Sequence, residues 1–527
     1  MLTYFNEIEL KQRLIKKILI LKMIDVTKIN KIKFTFIIIV LINIFLRIPS
    51  LFQELPPYTF IDEDLYVNKA FKHYQKDALY IAKVNQIVYY LASGPSYFYT
   101  LVTNEKLSLE QFTILARFFG PVLLNSISAA IIFLIGHLLF KTYSISIIAT
   151  GLFTFSPMVM GTSRILYPDH LWSICASMNI LICLFYSKGI YSKKVNTFLM
   201  GFIAALGASI KISGIVLCLP SFLLITKHNF KKSKSDLLSQ VSYLINPYVF
   251  LFFSIIVCFF VLNPIIITNG FQPFIDHINW KNSLYTKEYW PFLKTNNTYI
   301  FYTILLLFTT FGSLGFFFIC SGVVILFNSN KTTLLFYIIC PLLLIAILGR
   351  YEIGITRNII LGIPYVLFLL LYGFNYYLRK INNPTIKYLL IFFLLFEIIV
   401  KSGITFYYDL KTDSRILASR WIKKNVPAGS TIGQSKYMKN PIENFKNSDF
   451  LILDSWWSDL YDFNKHKSNQ TPFILFKEPI INNLHFINSG GVPYNEKYLK
   501  YKRIIQNYDF VTTLNGYGPK VFIFKKN

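Results

Sequence analysis

Acid is what this sequence has least of. Of 527 residues only 26 are Asp or Glu, against 53 Lys or Arg, for a formal charge of +27. Charged residues of both signs together make up 15% of the chain, where a soluble domain carries roughly 25%. Cysteine is also sparse. The six cysteines, Cys175, Cys183, Cys218, Cys258, Cys320 and Cys340, all sit in apolar runs, so no disulfide framework can brace the polar C-terminal region. No CxxC and no zinc-ligand spacing occurs, and the cysteines read as small buried hydrophobes. Repeats of fixed period are absent, as are low-complexity tracts apart from Lys-rich loops. No basic stripe alternates with aromatics, which excludes nucleic acid as a partner despite the charge. A cleavable signal peptide is not expected either: Met1 to Lys33 is basic and loosely amphipathic with no small-residue cleavage site. It reads as a cytoplasmic surface segment, with Met23 an alternative start.

Grease is what remains. Hydrophobic residues make up 54% of the chain, in runs long enough to cross a bilayer. The expected spans are Phe34–Pro49, Phe112–Phe140, Ser144–Met160, Asp169–Tyr186, Thr197–Ile210, Ser213–Thr226, Tyr243–Ile267, Tyr299–Phe327, Thr333–Leu348, Ile359–Leu378 and Ile386–Phe406, about eleven by the length rule. They must be helices, because lipid offers no partner to an open strand. Thr197–Thr226 is either one long helix or a hairpin turning near Lys211. As a hairpin it puts the basic loops "SKGIYSKKV", "KHNFKKSKSD" and "LRKINNPTIK" on one side, as the positive-inside rule requires. The N-terminus is then cytoplasmic. The loop after the first span, about 50–111, and the tail 407–527 are extracytoplasmic.

The tail is polar and rich in Pro, Gly and Asn turns. "DSRILASRWIKKNVPAG" has helical spacing and a Pro-Ala-Gly stop, while "DFLILDSW" and "PKVFIFKK" read as strands. The predicted architecture is an all-α polytopic membrane domain over 34–406, followed by a small extracytoplasmic α/β domain.

Charges beside membrane spans are costly and call for a reason. The predicted outer face gathers Asp62, Glu63, Asp64, Arg117, Arg164, Asp169, His170, Lys211, Arg350, Glu352 and Arg357. A few carboxylates among several cations suit a substrate that carries a phosphate and a reaction that needs a base. Read singly, each also has a simpler account. The triplet Asp62–Asp64 would start a helix, since acids favour a helix N-terminus. "YPDH" would open the next span, and Arg350 and Arg357 would anchor at the interface. Glu397 and Lys401, spaced i,i+4, should pair with each other.

The order of features resembles the GT-C lipid-phosphate-sugar-dependent glycosyltransferases, the set of protein O-mannosyltransferases, aminoarabinose transferases and RgtA-like enzymes. The first outer loop "PPYTFIDEDLY" supplies Asp62, Glu63 and Tyr66 in register with a family "DE" and a following tyrosine. Arg117 opens the second span in "LARFFGPVLL". Pro157, Arg164 and Asp169 match a "P…R…D" in "SPMVMGTSRILYPDH". Lys211 lies in the Gly-rich hairpin "GFIAALGASIKISGIVLCLP", and Arg357 and Pro364 match a late "R…P" in "TRNIILGIP". The resemblance covers the chain to about Ile432.

The resemblance implies an inverting transfer of a sugar from a polyprenyl-phosphate donor to an envelope glycan, glycolipid or protein. Asp62 would be the base, supported by Glu63. Tyr66, Arg117, Arg164, Asp169, Lys211, Arg350 and Arg357 would bind substrate. The family's late "RY" is "RN" here, at Arg357 and Asn358, which leaves the phosphate contact open between Arg350 and Arg357. The second outer loop has no DxD or ExD, so no metal and no other cofactor is implied as obligatory. The implied location is the inner membrane, among its lipids. The rival reading is a transporter or flippase of lipid-linked glycan, which should show paired inverted repeats with broken helices; no two matching halves are visible.

Overall fold

A computed structural model describes residues 26–52, 61–76, 86–163, 166, 168–230, 237–286, 297–351, 356–409, 414–427, 429–434, 449–454, 508–514 and 521–526. The first helix, α1 (Val26–Leu51), is followed by two helices in the first outer loop, α2 (Ile61–Gln75) and α3 (Gln86–Thr103). Next comes α4 (Leu109–Phe140), the longest candidate span among the described residues. Ser108 starts it with a capping box: its hydroxyl accepts from the Gln111 N–H, and the Gln111 side chain accepts from the Ser108 N–H. Pro121, which lacks an N–H, falls in a π-helical turn over Phe118–Val122. Such a turn shifts the facing of everything before it, Arg117 included.

The middle of the chain continues with α5 (Tyr143–Thr154), α6 (Pro157–Thr162), α7 (Pro168–Lys188) and α8 (Lys193–Ile210). A 3-10 turn (Ile212–Leu217) leads into α9 (Cys218–Phe230). Then follow α10 (Leu237–Leu262), α11 (Ile265–Asn269), α12 (Gln272–Thr286), α13 (Thr298–Thr309), α14 (Gly312–Ser329) and α15 (Lys331–Leu348). A second 3-10 helix (Thr356–Gly362) precedes α16 (Ile363–Lys380), α17 (Pro384–Asp409) and α18 (Ser414–Asn425).

Among the described residues six helices are long and apolar enough to cross a membrane. Shorter apolar helices stand beside them at Tyr143–Thr154, Ile212–His228, Asn246–Leu262 and Thr298–Thr309. The chain is a multi-pass membrane protein. Its core lies around α7 and α16, whose span windows are 72% and 83% buried, whereas α1 is only 28% buried and turns most of its surface outward. A helix that is apolar all round belongs either in such a core or against lipid.

Several expected spans are interrupted. Tyr299–Phe327, expected as one helix, is two, because Gly312 takes a left-handed φ of +76° and α14 restarts there. Ser144–Met160 breaks at Ser156, where Pro157 opens α6. Tyr243–Ile267 breaks before Pro264, where α11 begins. The hairpin expected near Lys211 is present. Lys211 leaves α8 in an extended conformation (φ −150°, ψ 136°), and the chain doubles back.

The tail forms a four-stranded sheet in the order β1–β2–β4–β3, from β1 (Ile432–Gln434), β2 (Phe450–Asp454), β3 (Tyr508–Leu514) and β4 (Val521–Lys526). β1 pairs parallel with β2; the other neighbours are antiparallel, with Ile452 opposite Ile523 and Phe510 opposite Phe524. The run Val521–Phe524 is buried, as a central strand requires. Ala418 of α18 packs on Val521, and both expected strands and the expected helix are present.

Candidate active site

Three elements distant in sequence meet at Asp169. Pro168 and Asp169 open α7, and Asp169 is 1% exposed. The Lys211 ammonium donates to its Oδ1 and, at 3.0 Å, to Asn358 Oδ1. From the 3-10 helix Thr356–Gly362, the Arg357 Nε stands 3.1 Å from Asp169 Oδ2. Lys211 also lies over the face of Trp172, 5.0 Å from the ring centroid, a favourable place for a cation. The Trp172 indole N–H donates to Gly207 O at 3.2 Å.

The hairpin that delivers Lys211 depends on two glycines. A Cβ on Gly214 would fall 2.2 Å from Gly207 O, so only glycine permits this crossing. Side-chain exposure rises from 1% at Asp169 through 14% at Lys211 to 28% at Arg357, so the cluster opens on the Arg357 side. Among the described residues one carboxylate stands against two cations. An anion is what such a cluster can accept.

Arg117 is 1% exposed and donates from Nη1 to Ser50 O and Leu51 O, 3.3 Å each. It thereby binds the last carbonyls of α1, the negative end of that helix. Asp62 and Glu63 lie in the first turn of α2; their side chains lie outside the described residues, as does all of Arg164. Tyr66, one turn on, packs against Tyr89 with ring centroids 5.4 Å apart. Val67, Ala70, Tyr74, Phe112, Ala116 and Leu166 form a small core. That core ties the acid-bearing helix to the residue before Arg117 and to the approach to Asp169. Arg350, exposed just after α15, is in none of the described ion pairs, and Arg357 is the arginine that the Asp169 cluster takes in.

Two residues escaped the sequence reading. Asn358, noted only as a departure from a family pattern, accepts a hydrogen bond from Lys211. Arg47, 2% exposed in the last turns of α1, had a signal that went unused, a guanidinium inside an apolar run. A cavity of about 160 Å³ lies toward the other end of α7, lined by residues including Cys183, Ser187, Lys227, Tyr337 and Tyr372. It shares no residue with the charged cluster.

No family model matches the chain, and no curated protein does. Solved structures do. The structure of ArnT from Cupriavidus metallidurans bound to undecaprenyl phosphate aligns over 93% of this chain and 97% of that one, at 9% identity and a TM-score of 0.50. The fold is GT-C. The same ArnT in its apo state aligns over 92% of this chain and 97% of that one, at 10% identity and TM-score 0.46. The arabinofuranosyltransferase AftD from mycobacteria aligns at 10% identity and TM-score 0.43, over 93% of this chain and 40% of AftD. At 9% identity the likeness to the lipid-bound ArnT speaks for the fold and leaves chemistry to the residues.

Proposed function

We propose that this protein is a membrane glycosyltransferase that moves a sugar from a polyprenyl-phosphate donor to an envelope glycan, glycolipid or protein on the extracytoplasmic face. The observation that carries the reading is the Asp169–Lys211–Arg357 cluster, a buried carboxylate that gathers two cations from separate elements. It occurs in a fold shared with a protein solved with undecaprenyl phosphate bound. Lys211 and Arg357 receive the donor phosphate. As the glycosidic bond breaks, that phosphate gains charge, so fixed cations stabilise the transition state more than the ground state. Asp169 and Asn358 hold the two cations in place. Asp62, in the first turn of α2, takes the proton from the acceptor hydroxyl as its oxygen attacks the anomeric carbon, with Glu63 orienting it. The leaving phosphate is an anion already and needs no proton, so a single base suffices and the anomeric configuration inverts.

The test is transfer by the purified full chain in lipid nanodiscs, read as release of undecaprenyl phosphate from an undecaprenyl-phosphate sugar. Asp62→Asn should fold and insert normally while turnover falls by about 100-fold or more. Turnover like that of the wild type in a folded Asp62→Asn protein removes Asp62 as the base. Uptake or flipping of the intact lipid-linked sugar without cleavage replaces the transferase with a transporter. Envelope glycans from a deletion strain, compared with wild type by mass spectrometry, identify the sugar.

A further inference from the structure

Asn263 is a fully buried amide at the point where a long apolar helix stops. It follows α10 and precedes Pro264, which has no N–H to continue the helix and disfavours a helical residue before it. Its Nδ2 donates back to Phe259 O at 2.8 Å and across to Ser209 Oγ, on α8, at 2.6 Å. Its backbone carbonyl accepts from the Ile266 N–H at 3.0 Å, so one residue closes α10 and leads into α11. The Ile265 N–H donates to Gln86 Oε1 at 3.4 Å. Gln86, also fully buried, opens α3 of the first outer loop.

Ser209 connects this junction to the charged cluster. Its hydroxyl donates to Ala205 O at 2.7 Å, one turn back, which commits its proton and leaves its oxygen to accept from Asn263. Two residues further on, Lys211 leaves α8 in its extended conformation and reaches Asp169 and Asn358. Those two partners hold the ammonium. The Asn263 bond holds the last turn of α8, from which the lysine departs. Nearer the other end, α8 and α10 cross so closely that a Cβ on Gly201 would lie 2.6 Å from Ser254 Cβ. The helix pair is thus fixed in two places, and the Ser209–Asn263 contact is the one beside Lys211.

We propose that Asn263 is a positioning residue for Lys211, acting through Ser209 to set where the ammonium meets the donor phosphate. This rests on the transferase reading above. A contact that served stability alone would act whether or not Lys211 were present. A positioning contact acts only through Lys211, and a double-mutant cycle separates the two.

The probe is undecaprenyl phosphate, titrated into the full chain in phosphatidylcholine nanodiscs and followed by native mass spectrometry. Ser209→Ala and Asn263→Ala should each weaken binding about fivefold, the scale of one hydrogen bond. The two together should weaken it no further, because both remove the same bond. In a Lys211→Met protein, which binds weakly from the outset, neither should change the affinity by as much as about twofold. Wild-type affinity in a folded Ser209→Ala protein overturns the proposal. So does an undiminished fivefold loss in the Lys211→Met background, which would make the pair a structural contact. Where Asn263→Ala does not fold, Ser209→Ala, which removes only a hydroxyl, decides alone. Failure of the wild type itself to bind undecaprenyl phosphate overturns the transferase reading, and this inference with it.

Discussion

Among the described residues two carboxylate–lysine pairs occur in the helical part of this protein, and they differ in how they are made. Glu397 and Lys401 stand one turn apart on α17 and pair at 2.8 Å. Asp169 and Lys211 come from separate helices and share their site with Arg357 and Asn358. The first pair joins one acid to one base a turn away. The second, among the described residues, gathers two cations around one acid. The Glu397 carboxylate also accepts from the Ser313 N–H at 3.0 Å and from its hydroxyl, at the start of α14. There an acid suits the helix dipole. A Cβ on Gly312 would sit 2.3 Å from that carboxyl group. Glu397 is thus a structural clasp between two helices, and Asp169 is the centre of the cluster proposed to receive the donor phosphate. Their surroundings separate them: Glu397 caps a helix start, while Asp169 gathers cations from two distant elements.

The sharpest way to break this comparison is to neutralise each acid. Asp169→Asn leaves Lys211 and Arg357 without their carboxylate. Turnover should fall by about 100-fold, by the loss of phosphate-binding geometry. Stability should drop by about 3 kcal/mol, the scale for breaking a buried ion pair. Thermal unfolding of the purified protein beside the transfer assay checks both. Retained turnover would reduce Asp169 to the same standing as Glu397.

Arg357 comes next. Arg357→Ala should lower turnover about tenfold or more while Arg357→Lys restores part of it, because lysine brings the charge without the bidentate fork. Added chelator should leave the wild-type rate unchanged. A rate abolished by chelator and restored by magnesium or manganese would instead make the acids of the site metal ligands.

Glu397→Gln should leave turnover near wild type and cost about 1 kcal/mol of stability, since the pair is partly exposed. A fall in turnover as large as that of Asp169→Asn would erase the distinction between clasp and cluster.

The smallest effect belongs to a third acid, which repeats the Glu397 capping contact in water. Asp449 accepts from the Thr431 N–H at 2.7 Å and from its hydroxyl at 2.9 Å. These bonds, the backbone one first, hold its carboxyl below the ordinary aspartate range. A depressed folded-state value means stability that is present above the unfolded value, about pH 4, and is lost as pH falls through the folded one. The gap in melting temperature between wild type and Asp449→Asn should therefore narrow from about pH 5 to about pH 3. A gap independent of pH would show that the contact does not depend on the charge.

Much of this was legible in the chain. The Glu397–Lys401 pair follows from helical spacing alone, as do α18 and the strands β2 and β4, whose residues interact with near neighbours or alternate predictably. The hairpin at Lys211 followed from the distribution of basic loops. The breaks at Gly312, Ser156 and Pro264 were not legible, because hydropathy sums over a window and one residue that ends a helix barely changes the sum. In the first outer loop the start of α2 at Asp62–Asp64 was legible, whereas α3 was missed for the opposite reason. Its mixed polarity falls below any span criterion, yet with α2 it buries Tyr74, Tyr89 and Phe112 beside α4.

By itself the sequence determined the membrane class, the helical material and which acids and bases sit at span ends, because apolar run length and charge placement are local properties. Only the tertiary structure decided which of those charges meet. Lys211 reaches Asp169 because Gly207 and Gly214 let the hairpin close. Asn358 becomes the second seat of Lys211 because a 3-10 helix from 147 residues further along is packed beside it. Arg47 became conspicuous only when its described hydrogen-bond partners, Ser163 and Asn43, came into view. Whether a buried charge is balanced depends on every element around it, and no stretch of sequence contains that sum.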